Sequence, residues 1–386
     1  MDKAKEQTKE LINFVKNQDS SWLATTILTI TIVIVVISMF SYITNKLRLQ
    51  KANCDRMISK YTTAPHQTLK SVKDDQKDNV LANFYIKTAY NCCSGGKFKN
   101  SYVDVCHLET AIRQGCRVLD FEIYSVDDTP VVATSSVPTI VDNKLNKDSF
   151  SFKETYNHIP LETVLGITNR MAFSGDCPNP DDLLFLHFRI KSHNARMYEK
   201  MADIITKMSD SLLPQNYGEE QEALELSLMT VNEIKQQGRT IIMVDKSNPM
   251  YVSTPLYSYV NISSGSSNMT QLTTFSLLNT ADHDQLKIMN KTKLCILLPD
   301  TSENNDNPPI NVANLVGCHM VAMNLSKDDG FRGFFDAFFK QSAFVLKPEE
   351  LRYNPPARGK IDPDAGGPTV GRKCFPSETG GEFCSG

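Results

Sequence analysis

The chain has 386 residues, and its 41 Lys and Arg stand against 44 Asp and Glu for a formal charge of −3. That length predicts one large fold with extras, and the lack of a basic excess excludes tracking of a nucleic-acid backbone, so no nucleic-acid partner is expected. A hydrophobic share of 41% supplies a sizeable core, while ten cysteines over this length are too few for a disulfide scaffold.

After a polar segment over 1–21, the 22 residues from Trp22 to Ile43 carry no charge. At 1.5 Å per residue they cover roughly 33 Å, enough for a ~30 Å hydrocarbon layer. Ile, Val and Thr dominate the run, but lipid forces it into a helix because open strands leave backbone groups unpaired. Trp22 and Tyr42 sit at its ends, where interfacial aromatics belong. A transmembrane helix over 22–44 is predicted, with the membrane as a partner. A cleaved signal peptide is the alternative, disfavoured by the length of the run and the polar residues before it. The 15 residues from Lys46 to Lys60 hold five basic ones (Lys46, Arg48, Lys51, Arg56 and Lys60), against two (Lys9 and Lys16) in the 15 before Trp22. The positive-inside rule therefore places the large C-terminal part on the cytoplasmic side. Four Asn-x-Ser/Thr sequons, at Asn261, Asn268, Asn290 and Asn324, would argue the other way if glycosylated.

Residues 45–80 are polar and lysine-rich without sustained periodicity, the pattern of a juxtamembrane stalk. The last stretch, 353–386, holds 12 Gly or Pro and is expected to be an irregular tail, in which Cys374 and Cys384 could close a small loop under oxidising conditions. Between them, apolar strand candidates alternate with helical patterns. The strands are Arg117 to Tyr124, Pro130 to Thr134, Leu183 to Ile190, Thr240 to Val244, Leu294 to Leu298 and Cys318 to Asn324. The helices include Asp104 to Gln114, capped by Asp104 and closed by Gly115, and Gln221 to Gln237. Such alternation over ~250 residues predicts an α/β fold, a β/α barrel first and an open doubly wound sheet second.

Two strands point to a site. A period of two puts Leu119, Phe121 and Ile123 on one face and Asp120, Glu122 and Tyr124 on the other. Likewise Leu184, Leu186, Phe188 and Ile190 alternate with His187, Arg189 and Lys191. In a barrel the charged sets point inward, where they must be paired, hydrated or metal-bound. Strand reasoning leaves two readings open, a structural ion-pair cluster and an active site at the strand C-terminal ends.

Several motifs refine this. Gly115-Cys116-Arg117-Val118-Leu119-Asp120-Phe121-Glu122, then Pro130-Val131-Val132, Gly317-Cys318-His319-Met320-Val321-Ala322-Met323-Asn324 and Phe344-Val345-Leu346-Lys347-Pro348 occur in one order and spacing. They resemble the eukaryotic-type phosphatidylinositol-specific phospholipases C over residues 84–352. The set is similar to divergent versions carried by large DNA viruses. The resemblance implies a distorted TIM barrel, with an X-like half over 81–192, a helical connection over 193–237 and a Y-like half over 238–352. It also implies inositol-lipid cleavage by two histidines and a calcium ion, with an inositol phospholipid headgroup as ligand.

Residue by residue, the resemblance breaks at the chemistry. Tyr90 stands at the first catalytic histidine, in Ala89-Tyr90-Asn91-Cys92, and Asn91 keeps a calcium-ligand position. Thr134 stands at or near the second histidine. Asp120 and Glu122 keep two carboxylates with identities exchanged. Arg189 stands where a third acidic calcium ligand is implied, and a cation there repels a divalent ion. The phosphate-holding lysines align with Met243 and Asp245, and the inositol-site arginine and tyrosine with Ile296 and Leu298. The expected metal set is therefore none and calcium is expected to be lost, with Arg189 pairing to Glu122 and Asp120. The remaining substrate-side candidates are Asn91, His187 and Lys191. A degenerate, membrane-anchored barrel acting as a headgroup-binding or scaffold protein is the first functional reading. A calcium-independent phosphodiesterase, in which Tyr90, Cys92 or His187 must act as acid or base, is the second. No motif names a protein partner.

Overall fold

The structure is a computed structural model that describes residues 20–62, 68–138, 152–214, 226–303 and 306–355, with short pieces at 6–10, 13, 140–141, 144–146, 150, 373–376 and 382–385. Eight short strands run parallel: β1 (Phe84–Ala89), β2 (Val118–Val126), β3 (Leu184–Ile190), β4 (Thr240–Asp245), β5 (Ile262–Ser264), β6 (Met269–Thr273), β7 (Leu294–Leu298) and β8 (Met320–Met323). Their hydrogen-bonded order is β6-β7-β8-β1-β2-β3-β4-β5, so the sheet curls into a barrel that lacks only a ladder between β5 and β6. The barrel, not the open sheet, is the observed α/β architecture.

Alternation divides the core in two. Leu119, Phe121, Ile123, Leu186, Phe188 and Ile190 share an outer layer with helix residues such as Val164, Leu165, Met197 and Met201. Ile86, Val118, Phe185, Ile241, Met243, Met269, Ile296 and Met320 form a second cluster that fills the barrel. Helix α2 (Val105–Arg113) starts where its cap was expected: Asp104 accepts from the Cys106 amide at 2.9 Å, and Gly115 at φ 74° turns the chain into β2.

Some expectations need correction. The strand Thr129–Val132 is not a barrel stave but runs antiparallel to the end of β2, across a tight turn in which Asp127 and Asp128 adopt φ 49° and 61°. Strands β1, β5 and β6 escaped the periodicity reading because Lys87 interrupts the first and the other two are short and polar. The helix expected over Gln221 to Gln237 is interrupted: 226–228 are helical and a separate helix occupies Val231–Gln237. Thr230 starts it with a reciprocal capping box to Glu233, which ends any continuous helix from upstream; residues 221–225 lie outside the described residues.

The stalk is the largest correction. Helix α1 runs from Ser20 to Thr62 without a break, and its stretch Ser21–Tyr61 is long and apolar enough to cross a membrane by length and composition. Beyond the apolar run, Lys46, Gln50, Asn53, Met57 and Tyr61 recur every three to four residues and lie on the barrel side, Met57 and Tyr61 being buried. Lysines around that narrow stripe hid it from the sequence reading. Cys54 is bonded to Cys106 of α2. The four sequon asparagines are buried in the barrel and cannot carry a glycan in the folded protein. In the separate unit that starts at Tyr353, Lys373–Pro376 pairs antiparallel with Glu382–Ser385, which sets Cys374 opposite Cys384.

Arg117, at the foot of β2, is fully buried and donates to the carbonyls of Ala172 (2.9 Å) and Asn179. Arg117→Met should strand these acceptors and cost about 3 kcal/mol in denaturant unfolding. A loss under about 0.5 kcal/mol would show that the carbonyls find other partners.

Candidate functional site

Register builds the site. On β1, β2 and β3 the inward positions climb from apolar to polar toward the strand C-terminal ends. Asp120 lies directly opposite His187, and Glu122 directly opposite Arg189. Two successive acid–base pairs therefore sit side by side across this parallel ladder.

Arg189 is the hub. Its Nε donates to Asp120 Oδ1 (2.9 Å), one terminal nitrogen to Glu122 Oε1 (2.6 Å), and the other to both Asp120 Oδ2 (2.9 Å) and Asn91 Oδ1 (2.8 Å). The carboxylates are filled from other sides as well. Asp120 Oδ1 meets His187 Nδ1 at 2.8 Å, and Oδ2 accepts from the Asn91 amide at 3.0 Å. Glu122 Oε2 accepts from Tyr124 Oη at 3.1 Å and from the Ser135 amide at 3.0 Å. Tyr90 lays its ring against the guanidinium, 4.5 Å from ring centroid to Arg189 Cζ, a cation–π contact that strengthens with desolvation.

Burial alone would raise the pKa of Asp120. The Arg189 charge and the hydrogen bonds from His187 and Arg189 outweigh it and hold the carboxyl well below the usual carboxylate range. Burial likewise opposes the Arg189 charge, but Asp120 and Glu122 overcome it and push the guanidinium pKa up. Burial raises the Tyr90 phenol and the Cys92 thiol, so neither is poised as a base near neutral pH. The Lys191 ammonium is lowered by burial, offset in part by Glu122, and sits 5.6 Å over the Phe150 ring.

All eight residues named from the sequence converge on this end of the barrel, and none of them exceeds 4% exposure: Tyr90, Asn91, Asp120, Glu122, Thr134, His187, Arg189 and Lys191. Thr134 does not reach the cluster. Its hydroxyl donates to the Phe98 carbonyl at 3.0 Å, and Phe98 packs edge-on against Tyr90, so the two loops that rise from β1 and β2 close over the charges. Met243, Ile296 and Leu298 lie in the apolar filling, where an inositol ring would need polar partners.

Sequence reasoning missed Ser264 and Gln271. His187 Nε2 lies 2.8 Å from Ser264 Oγ, which in turn donates to Gln271 Oε1 at 2.6 Å. Asp120, His187 and Ser264 thus stand in the order of a charge-relay chain, yet Ser264 is fully buried and its hydroxyl is committed to Gln271. β5, Ile262-Ser263-Ser264, is a three-residue strand too short for a period count to register. Asn91, at φ 43°, takes the left-handed conformation that turns β1 into its loop, and its Nδ2 is buried without a partner among the described residues.

No family model matches the chain, and no curated protein matches it by sequence. Solved structures do. The crystal structure of S. officinalis PLC21 superposes with a TM-score of 0.55 at 15% identity, covering 72% of this chain and 38% of that one. L. pealei PLC21 gives the same values. This likeness shows that the chain has the phospholipase-C-like barrel fold; the chain spans only 38% of the length of those proteins.

Breaking the cluster has a signed pH dependence. A depressed Asp120 pKa contributes stability that is present above the unfolded value of about 3.9 and is lost as pH falls through the folded value. Arg189→Met leaves two buried carboxylates without their cation and should cost about 3–5 kcal/mol at pH 7. Its stranded carboxylates take up protons more readily, so the gap to wild type should narrow from about pH 6 to pH 4 in thermal melts. A constant gap would mean that the pair holds no differential charge.

Proposed function

We propose that this is a membrane-tethered phospholipase-C-like barrel in which a guanidinium has taken the place of calcium, so that the barrel serves as a scaffold at a lipid surface and not as the family's hydrolase. One observation carries the reading: Arg189 occupies the oxygens of Asn91, Asp120 and Glu122, the same groups that the resemblance assigns to the metal. These residues do not fit calcium. The ion needs six to eight oxygens at about 2.3–2.6 Å, and here it would have to displace a buried guanidinium and then sit beside its charge. The acid–base roles lack occupants too, since Tyr90 stacks on Arg189 and Thr134 faces away. Recognition of an inositol headgroup, the other partner implied by the resemblance, has no exposed member of this set to use. The Ser20–Thr62 helix supports the tether.

A second reading, calcium-independent phosphodiester cleavage, is favoured by the Asp120–His187–Ser264 chain alone. It requires the loops over the mouth to move before any substrate meets Ser264.

Calcium titrated calorimetrically into the full chain in detergent should give no micromolar binding, and inositol-lipid cleavage should stay at background with or without chelator. Binding heat that disappears in Glu122→Ala rejects the scaffold reading. Chelator-insensitive turnover lost in His187→Gln establishes the second.

A further inference from the structure

The contact between α1 and the barrel has an uneven composition. Met57 and Tyr61 are buried in it, Gln50 donates to Asp104 at 2.7 Å, and Arg56 donates to the Gly95 carbonyl at 3.2 Å. Against these, Asn53 Nδ2, Ser101 Oγ and His107 Nδ1 are buried there without a hydrogen-bond partner among the described residues. Asn53 and Ser101 close over Gly96 so tightly that a Cβ on that glycine would lie 2.9 Å from both side chains. Buried, unpaired polar groups favour separation, because water satisfies them once the surfaces part. In the middle of this balance sits the covalent bond from Cys54 to Cys106, with Cα atoms 6.1 Å apart. Both cysteines are partly exposed, whereas Cys92, Cys93, Cys116, Cys177, Cys295 and Cys318 are buried free thiols.

We propose that the Cys54–Cys106 disulfide is a reducible latch that holds the barrel rim on the membrane helix, and that a dithiol reductant releases it. The thiolate of the dithiol attacks one sulfur of the pair, forming a mixed disulfide and freeing the other cysteine. The second thiol of the reagent then displaces the remaining cysteine, and the reagent leaves as its own disulfide. Two electrons and two protons have passed to Cys54 and Cys106. With the bond open, the seam rests on Met57, Tyr61 and a few polar contacts while three orphaned groups pull toward water. The helix then parts from Gly95, Gly96 and α2. Gly95 and Gly96 belong to the loop that begins at Asn91, so the latch also restrains one wall of the barrel mouth. This holds whatever the mouth binds, and it gives the disulfide a role on either side of a membrane: closed where the surroundings oxidise, open where they reduce.

The test uses the full chain in lipid nanodiscs and reads the peroxide oxidation of Met57 by mass spectrometry. Wild type with the disulfide intact is compared with Cys54→Ser/Cys106→Ser, and with wild type that has been reduced by a dithiol and alkylated. Met57 should oxidise at least about tenfold faster in both opened forms, as expected for a local opening, while Met243 and Met320 in the barrel filling keep their slow rates. Met57 rates that match the intact protein would overturn the proposal. So would a joint acceleration of Met243 and Met320, since the bond would then be holding the whole barrel together and not its seam.

Discussion

One guanidinium organises the mouth of this barrel. Two carboxylates inside a dehydrated sheet are tolerated only if a cation and enough donors surround them, and Arg189 supplies both. The rest of the mouth follows from that requirement. Tyr90 must lie flat to cover the guanidinium, Asn91 must turn left-handed to present its oxygen and its amide, and the Ser135 amide must reach Glu122 from the loop above. Each such contact draws a loop inward. Closure of the mouth and neutralisation of its charges are thus one event, in contrast to a site that keeps open coordination positions for a metal and a substrate.

The inward face of β2 and β3 was legible from alternation, because a strand period of two leaves no choice about which residues share a side once the outer face is apolar. The barrel was legible for the same reason, six apolar runs spaced by helical patterns. What stayed hidden depends on contacts distant in sequence. Ser264 joins His187 across 77 positions, and no local pattern in a three-residue strand signals it. The docked half of α1 was hidden differently: its stripe is only one residue wide per turn, and its charged neighbours dominate any window average. Thr134 illustrates a third limit. Alignment placed it at a catalytic position, yet its hydroxyl serves the loop closure through Phe98.

The floor of the barrel follows another rule. Lys347 is fully buried and donates to the Asn290 carbonyl at 2.8 Å while lying 2.7 Å from His319 Nε2. Burial pulls its ammonium down to about 7, and burial with the neighbouring Lys347 pulls His319 below its ordinary value. The two ends of the barrel therefore differ in kind. The mouth balances full charges against each other, whereas at the floor burial lowers the Lys347 and His319 pKa values, beside a carbonyl and an imidazole but no carboxylate.

Helix α1 passes from its apolar stretch to the barrel rim with no Gly, Pro or loop between Ile43 and Gln50. A rod without a hinge transmits tilt and rotation. With its apolar stretch in a bilayer, the rod would set the attitude of the barrel directly, and a change in lipid thickness that leans it would swing the closed mouth by the same angle.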